Sequence, residues 1–272
     1  MGHYIKLYFL CIKRSIIAKL EYKKDTLIAL FSFVIANLCS ILSIYFLVNS
    51  IPALSENGNN WSIYQIGFLY GFSMIPVGID HLFSDEFWLV AYRRVRNGTL
   101  DPVFLRPAPI MFQIFAETFQ PEGFGELIVG TAMLILCGFN TSINWSFPLI
   151  FMLIIASIFG AIIITSLKII FSGLAFVFKT SGPLLQVVYN FISYTKYPIG
   201  IYPYFLRAML IFIFPFGIII SYPIQTLFFG NVYSWLNPWT LSLIIVVVAI
   251  LFFFIAIVSW SLCVKKYEST GS

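Results

Sequence analysis

Charged residues are scarce in this sequence: Asp, Glu, Lys and Arg make up 10% of its 272 residues, against about a quarter in soluble domains. With 60% of residues hydrophobic and 19% aromatic, the chain could not cover its own surface in water, which excludes a soluble globular enzyme. Histidine is nearly absent, with only His3 and His81. No H-E-x-x-H or G-x-S-x-G occurs, so the usual metal and nucleophile-plus-base constellations are missing. Cys11, Cys39, Cys137 and Cys263 are scattered without a C-x-x-C spacing, and neither a metal site nor a disulfide framework is indicated. Gly173 to Thr180 reads G-L-A-F-V-F-K-T and imitates a phosphate-binding loop. Phe178, however, stands where a second glycine is needed for backbone amides to cradle phosphate. No ATP site, and no other cofactor site, is expected in this chain. The first residues lack a signal-peptide shape, and Lys6 stands where a myristoylation motif wants Ser or Thr. The first apolar span is expected to act as its own insertion signal.

What the sequence has instead is long apolar runs, several of them reaching the roughly 20 residues that cross a bilayer as a helix. The expected fold is an all-α integral membrane protein forming one transmembrane domain over 1–272. Six transmembrane helices are predicted at about 26–48, 61–83, 123–139, 149–178, 204–222 and 240–264. Asp25 is well placed to cap the first, Gly67-x-x-x-Gly71 permits close approach in the second, and Pro215 lies inside the fifth. Residues 1–25 mix lysines with Leu, Ile, Phe and Tyr and read as an interfacial helix whose lysines reach toward headgroups. With both termini cytoplasmic, every Lys and Arg except Lys168 falls on the inner side, Lys196 and Arg207 included, and the outer links carry none. The net charge of +5 is therefore assigned to membrane topology and lipid headgroups, not to nucleic acid. No internal repeat is visible.

Charges within a membrane are costly and mark cavities or partners. Glu126 and Lys168 are candidates for a substrate pathway, with Asn37 in the first span as a third. Glu122 and Glu126 sit one turn apart and repel if both are ionised, although a helix N-terminus also favours anions. Lys168 has the competing reading of a side chain that snorkels to the surface. His81 beside Asp80 reads as an ordinary interfacial cluster. The loop 85–109 is the most informative segment, because Phe87, Trp88, Tyr92 and Val95 alternate with arginines. An amphipathic cytosolic helix of this kind can dock into a groove on another protein.

Within that loop, Tyr92-Arg93-Arg94-Val95-Arg96-Asn97-Gly98-Thr99-Leu100-Asp101-Pro102 and Leu105-Arg106-Pro107 resemble a stretch found in permease subunits of ABC type-2 exporters, in a six-helix branch without a fused ATPase domain. Lys196-Tyr197-Pro198-Ile199, Tyr202-Pro203, Arg207, Pro215 and Tyr222-Pro223 look like that family's segment around helix five, and Tyr22-Lys23-Lys24-Asp25 like its approach to helix one. The resemblance implies a connector helix at 1–25, a coupling loop at 85–109 and an external re-entrant or interfacial element at 228–239. It implies that Tyr92, Arg93, Arg94, Arg96, Asp101 and Arg106 couple the chain to separate cytosolic ATPase subunits that carry ATP and Mg. It also implies a second permease chain, identical or homologous, and export of an amphiphilic or aromatic substrate (a drug, peptide or lipid-like molecule) across a bacterial plasma membrane. An ion-coupled carrier or channel, or a membrane scaffold, is the alternative reading of the residues.

Overall fold

The computed structural model describes residues 2–21, 23–50, 55–56, 59–117, 119–121, 123–231 and 233–268. The chain begins with two helices, α1 (Gly2–Glu21) and α2 (Lys23–Ser50), followed by a minimal hairpin of β1 (Ser55–Glu56) and β2 (Asn59–Asn60). Helix α3 (Ile63–Ser84) leads into α4 (Glu86–Leu89), a π turn at Val90–Arg94, α5 (Asp101–Phe104) and α6 (Ile110–Glu117). Next come α7 (Gly123–Phe139), α8 (Phe147–Gly173), α9 (Ala175–Phe178) and α10 (Gly182–Tyr194). After a 3-10 turn at Ile199–Ile201 the chain forms α11 (Tyr204–Ala208), α12 (Tyr222–Phe229) and α13 (Pro238–Val264).

The fold is helical, as expected, and four stretches are long and apolar enough to cross a membrane: Leu27–Phe46, Ile63–Ser84, Phe147–Phe178 and Pro238–Val264. A bent pair, Tyr204–Ile213 with Gly217–Phe229, makes a fifth if counted as one span. Helix α7 keeps its expected bounds but has 17 residues, or about 26 Å at 1.5 Å per residue, slightly less than a hydrocarbon core of roughly 30 Å. The expected cap Asp25 falls inside α2, which already starts at Lys23, while Tyr22 and Glu122 lie outside the described residues.

The fifth expected helix is not continuous. Its two arms meet at 87°, with the break at Phe214–Phe216 around Pro215 and a π turn on either side, at Met209–Ile213 and Gly217–Ser221. Pro215 has no N–H to give the ladder and its ring clashes with the preceding turn, so the apolar run reads as one helix and folds as two. Residues 228–239 hold the end of the second arm, a turn at Gly230 (φ 81°) and Asn237, whose side chain accepts from the amides of Trp239 and Thr240 to cap α13.

Helices α3 and α7 make the closest contact in the bundle. A Cβ added to Gly71 would come 2.9 Å from the Gly130 carbonyl oxygen, and one on Gly123 would come 2.8 Å from that of Gly78. Both pairs are seven residues apart on each helix, so two turns of bare backbone face each other and the side chains interlock around them. Helix α8 packs along α13 on its other flank and also touches α3. By contrast, Phe31, Leu38, Leu42 and Phe46 of α2 are exposed.

Two cores result. The larger one, around Ile66, Leu69, Tyr70, Met152, Ile163, Phe216, Ile220 and Ile245, fills the bundle. The smaller one gathers Phe87, Val90, Val95, Leu100, Val103, Ile114, Phe176 and Trp260 beneath the segment 86–117. That segment is a platform at one end of the bundle. Helix α1 joins it there, with Ser15 Oγ and the Phe119 amide 3.0 Å apart and Tyr8 against Phe112.

The placement of 182–203 corrects the expectation that Lys196 and Arg207 lie at the arginine-rich end. Helix α10 starts on the platform, where Ser181 N–H donates to the Ala91 carbonyl, and rises into the bundle. Tyr189 stacks on His81, and Lys196 Nζ lies 5.5 Å from the Tyr70 ring centre. Tyr70 precedes Ser84 by fourteen residues of α3, about 21 Å of helix. The 3-10 turn at 199–201 then packs on β1. Arg207 lines a cavity with Tyr233, Trp235 and Leu241, at the end of α13 remote from the platform. Glycine, proline and polar residues gave 179–203 the look of a loop, but Leu185, Val188 and Ile192 recur at helical spacing and are buried.

Candidate functional site

Two polar assemblies are built on this frame: the platform, and a chain of buried charges within the bundle just behind it. On the platform, Gly98 takes φ 67°, the left-handed conformation that glycine adopts without a Cβ penalty. It turns the chain from Val90–Arg94 into α5. Arg94 then points back into the fold, with Nη1 2.6 Å from Glu86 Oε1 and 2.5 Å from Glu117 Oε2. Glu117 is shared with Arg106, 3.0 Å away. One guanidinium thus ties α4 to α6, and a second reaches the same carboxylate from the loop between them.

The remaining platform residues divide by the face they occupy. Tyr92 stacks on Trp88 with ring centres 3.9 Å apart and lies flat on Gly182, where a Cβ would sit 2.6 Å from the ring. Asp101 accepts a hydrogen bond from the Tyr267 hydroxyl at 2.5 Å. Burial and the Asp101 carboxylate push that phenol up to about 12. Arg93 and Arg96 are exposed and make no ion pair among the described residues. Leu105 is 86% exposed and stands next to the exposed Arg106. The sequence-predicted coupling residues therefore separate. Arg94 ties α4 to α6 within the platform, and Asp101 and Tyr92 hold it to the segment after α13 and to α10. Arg106 is exposed but paired with Glu117, and Arg93 and Arg96 present charge to the outside.

Behind the platform, Lys168 of α8 is 1% exposed, with Nζ 2.7 Å from Asp80 Oδ2 and 2.9 Å from Asp85 Oδ1. It also lies 5.8 Å from the Tyr189 ring centre. Asp80 Oδ1 accepts from Thr165 and Ser84 hydroxyls. Glu126 Oε2 lies 2.7 Å from His81 Nδ1, and the other ring nitrogen faces Asp85 at 4.0 Å. Glu126, His81, Asp85, Lys168 and Asp80 thus form one chain of alternating acidic and basic side chains that links α7, α3 and α8. In a low-dielectric interior such charges persist only when paired and hydrogen-bonded.

Asn37 belongs elsewhere. Its Oδ1 accepts from the Tyr70 hydroxyl at 3.1 Å, and its Nδ2 donates to Phe33 C=O, which ties α2 to α3. Of the three candidate pathway residues, Glu126 and Lys168 are therefore linked through His81 and Asp85, and Asn37 is not. His81 beside Asp80 read as an ordinary interfacial cluster, and Asp85 was not singled out. The usable signal was their spacing, since positions 81 and 85 share a helix face that α8 then covers.

The described residues include no group of three or more His, Cys, Asp or Glu suited to a metal ion. A family model described as ABC-2 family transporter protein matches residues 33–271. No curated protein and no solved structure matches the chain. The matched stretch contains the platform, the buried charge chain and nearly all of the apolar helices, and members of the family are the membrane components of ABC transporters that associate with an ABC ATPase component. The chain belongs to the ABC-2 transporter family and is a multi-pass membrane permease component.

Proposed function

We propose that this chain is the export permease subunit of an ATP-driven transporter in a bacterial plasma membrane, pairing with a second permease chain and two separate cytosolic ATPase subunits that carry ATP and Mg. The observation that carries this reading is the platform. It exposes Arg93, Arg96, Leu105 and Arg106 on its outer face, and its inner face is fixed to a packed core of Phe87, Val90, Leu100 and Trp260. A surface of that kind transmits displacement instead of yielding to it, because close-packed interiors are weakly compressible.

The platform end is then cytoplasmic, and α1 beside it serves as the connector helix. Six crossings are reached if α7 spans with local thinning of the bilayer and α10 with its continuation to residue 203 makes the fifth. The bent pair 204–229 becomes a re-entrant element ahead of α13. An ATPase moving against the platform would pull α3 through α4, α8 through Lys168 and Asp85, and α13 through Trp260 and Tyr267. Apolar, aromatic helices with sparse polar groups suit an amphiphilic or aromatic cargo.

Purification of the tagged chain from its native membrane, with and without Arg93→Glu and Arg96→Glu together, tests the proposal. A stoichiometric ATPase lost from the charge-reversed variant supports it. An intact preparation in which neither protein brings an ATPase contradicts it.

A further inference from the structure

The cavity between the bent pair and the far end of α13 holds a charge that the buried network does not absorb. It has a volume of about 510 Å³, and its walls include Ile211, Phe212, Tyr222, Trp235, Leu236 and Ile244. Arg207 stands in this wall. One of its terminal nitrogens donates to the Gly200 carbonyl at 2.8 Å and reaches that of Tyr202 at 3.4 Å. These carbonyls orient the guanidinium without neutralising it. Its Nε is buried and has no hydrogen-bond partner, and no acidic side chain pairs with Arg207 among the described residues.

The contrast with Lys168 and Arg94 is informative. Lys168 has two carboxylates within 3 Å and Arg94 has two more. Among the described residues Arg207 has none, although it is set among aromatic and aliphatic walls where an unpaired charge is costly. The two carbonyls hold one terminal nitrogen and leave the positive charge without a counter-ion, and carboxylate and phosphate are the anions that a guanidinium pairs with through charge-assisted hydrogen bonds. The rest of the cavity fits a hydrocarbon chain, and its size falls within the usual range for small-molecule sites.

The geometry points to a binding site for a single-headed anionic amphiphile, with its carboxylate or phosphate on Arg207 and its chain between Phe212, Tyr222, Trp235 and Ile244. Two sources share that chemistry: a phospholipid resident in the bilayer, or the transported cargo on its route. The second source rests on the permease reading; the binding itself does not.

The test uses the purified full-length chain in neutral detergent and 12-bromododecanoate, whose bromine quenches a nearby indole. Saturable quenching is expected in the native protein. It should be absent in Trp235→Phe, weakened about tenfold or more in Arg207→Gln, and partly restored in Arg207→Lys. The neutral analogue 12-bromododecanol should show no saturable phase. Mass spectrometry of the intact protein then separates the sources: an anionic lipid that co-purifies with the native chain but not with Arg207→Gln marks a resident lipid, and saturable binding without one marks a transient ligand. Equal quenching by the acid in the native protein and a monodisperse Arg207→Gln, or equal saturation by the alcohol, overturns the proposal. Loss of ATPase co-purification alongside intact quenching would fault the permease reading and leave this site standing.

Discussion

Replacing Lys168 by Met removes a buried cation of nearly the same length and leaves Asp80 and Asp85 facing each other. Lys168 is 1% exposed and the Asp80 carboxylate is fully buried, so solvent cannot take over the lost contact. Deleting one partner of a buried pair costs about 3–5 kcal/mol, whereas replacing both by apolar or neutral groups is often close to neutral. Lys168→Met should therefore lower the thermal midpoint of the purified protein by on the order of 10 °C, at about 2–4 °C per kcal/mol for a chain of this size. Lys168→Met with Asp80→Asn should recover most of that loss, since the remaining Asp85 is 32% exposed and can be hydrated. The assay is fluorescence-detected size-exclusion chromatography after heating, on the single and double variants. A double variant as unstable as the single one would refute the argument that uncompensated charge sets the cost. So would a Lys168→Met protein within about 1 kcal/mol of the native chain.

Further outcomes follow from other contacts. Gly71→Ile or Gly130→Ile should prevent a stable fold, because the new Cβ would lie 2.9 Å from a facing backbone oxygen and helix backbones cannot part without losing their packing; yield of monodisperse protein measures this, with Gly138→Ala, where the nearest atom is 3.5 Å away, as the tolerated control. Arg94→Met should loosen the platform by a few kcal/mol, leaving Glu86 and Glu117 without their shared cation, while Arg93→Glu and Arg96→Glu should leave the thermal midpoint within about 0.5 kcal/mol of native, as for exposed charges without a partner. The Tyr267 phenol is raised from 10.0 to about 12 in the fold, so its tie to Asp101 is fully present below pH 10 and is lost as pH rises through about 12; hydrogen exchange of residues 265–268 across that window should show the loss in the native chain and not in Tyr267→Phe.

The long apolar runs made α3, α7, α8 and α13 legible, because each is a nearly unbroken hydrophobic helix and the bilayer criterion needs little else. Residues 123–139 were bounded correctly, since Gly123 and the Asn140 turn mark both ends. The break at Pro215 was visible as a proline, but an 87° bend is set by what the two arms pack on, and a sequence does not state that. Helix α10 was missed for a related reason. Its polar residues looked like a surface loop until α3 and α8 supplied His81 and Lys168 as partners for Tyr189. The same holds for the charges. Arg94 stood out in the sequence, yet its partners Glu86 and Glu117 lie eight residues before it and 23 after it, and neither separation is a helical neighbour spacing. Lys168 and Glu126 were noticed as costly residues; the spacing of His81 and Asp85 put both on one face of α3, but that this face joins Glu126 to Lys168 depends on α7 and α8 packing against it.

The central claim is that the platform receives force from a separate ATPase. The most direct measurement is ATP hydrolysis by the complex isolated on the tagged chain, reconstituted in lipid, for the native protein and for Arg93→Glu with Arg96→Glu. ATPase activity should co-purify with the native chain and fall away, together with the bound ATPase subunit, when the two exposed arginines are reversed on a platform that stays folded. Full activity and full retention of the subunit in that variant would contradict it.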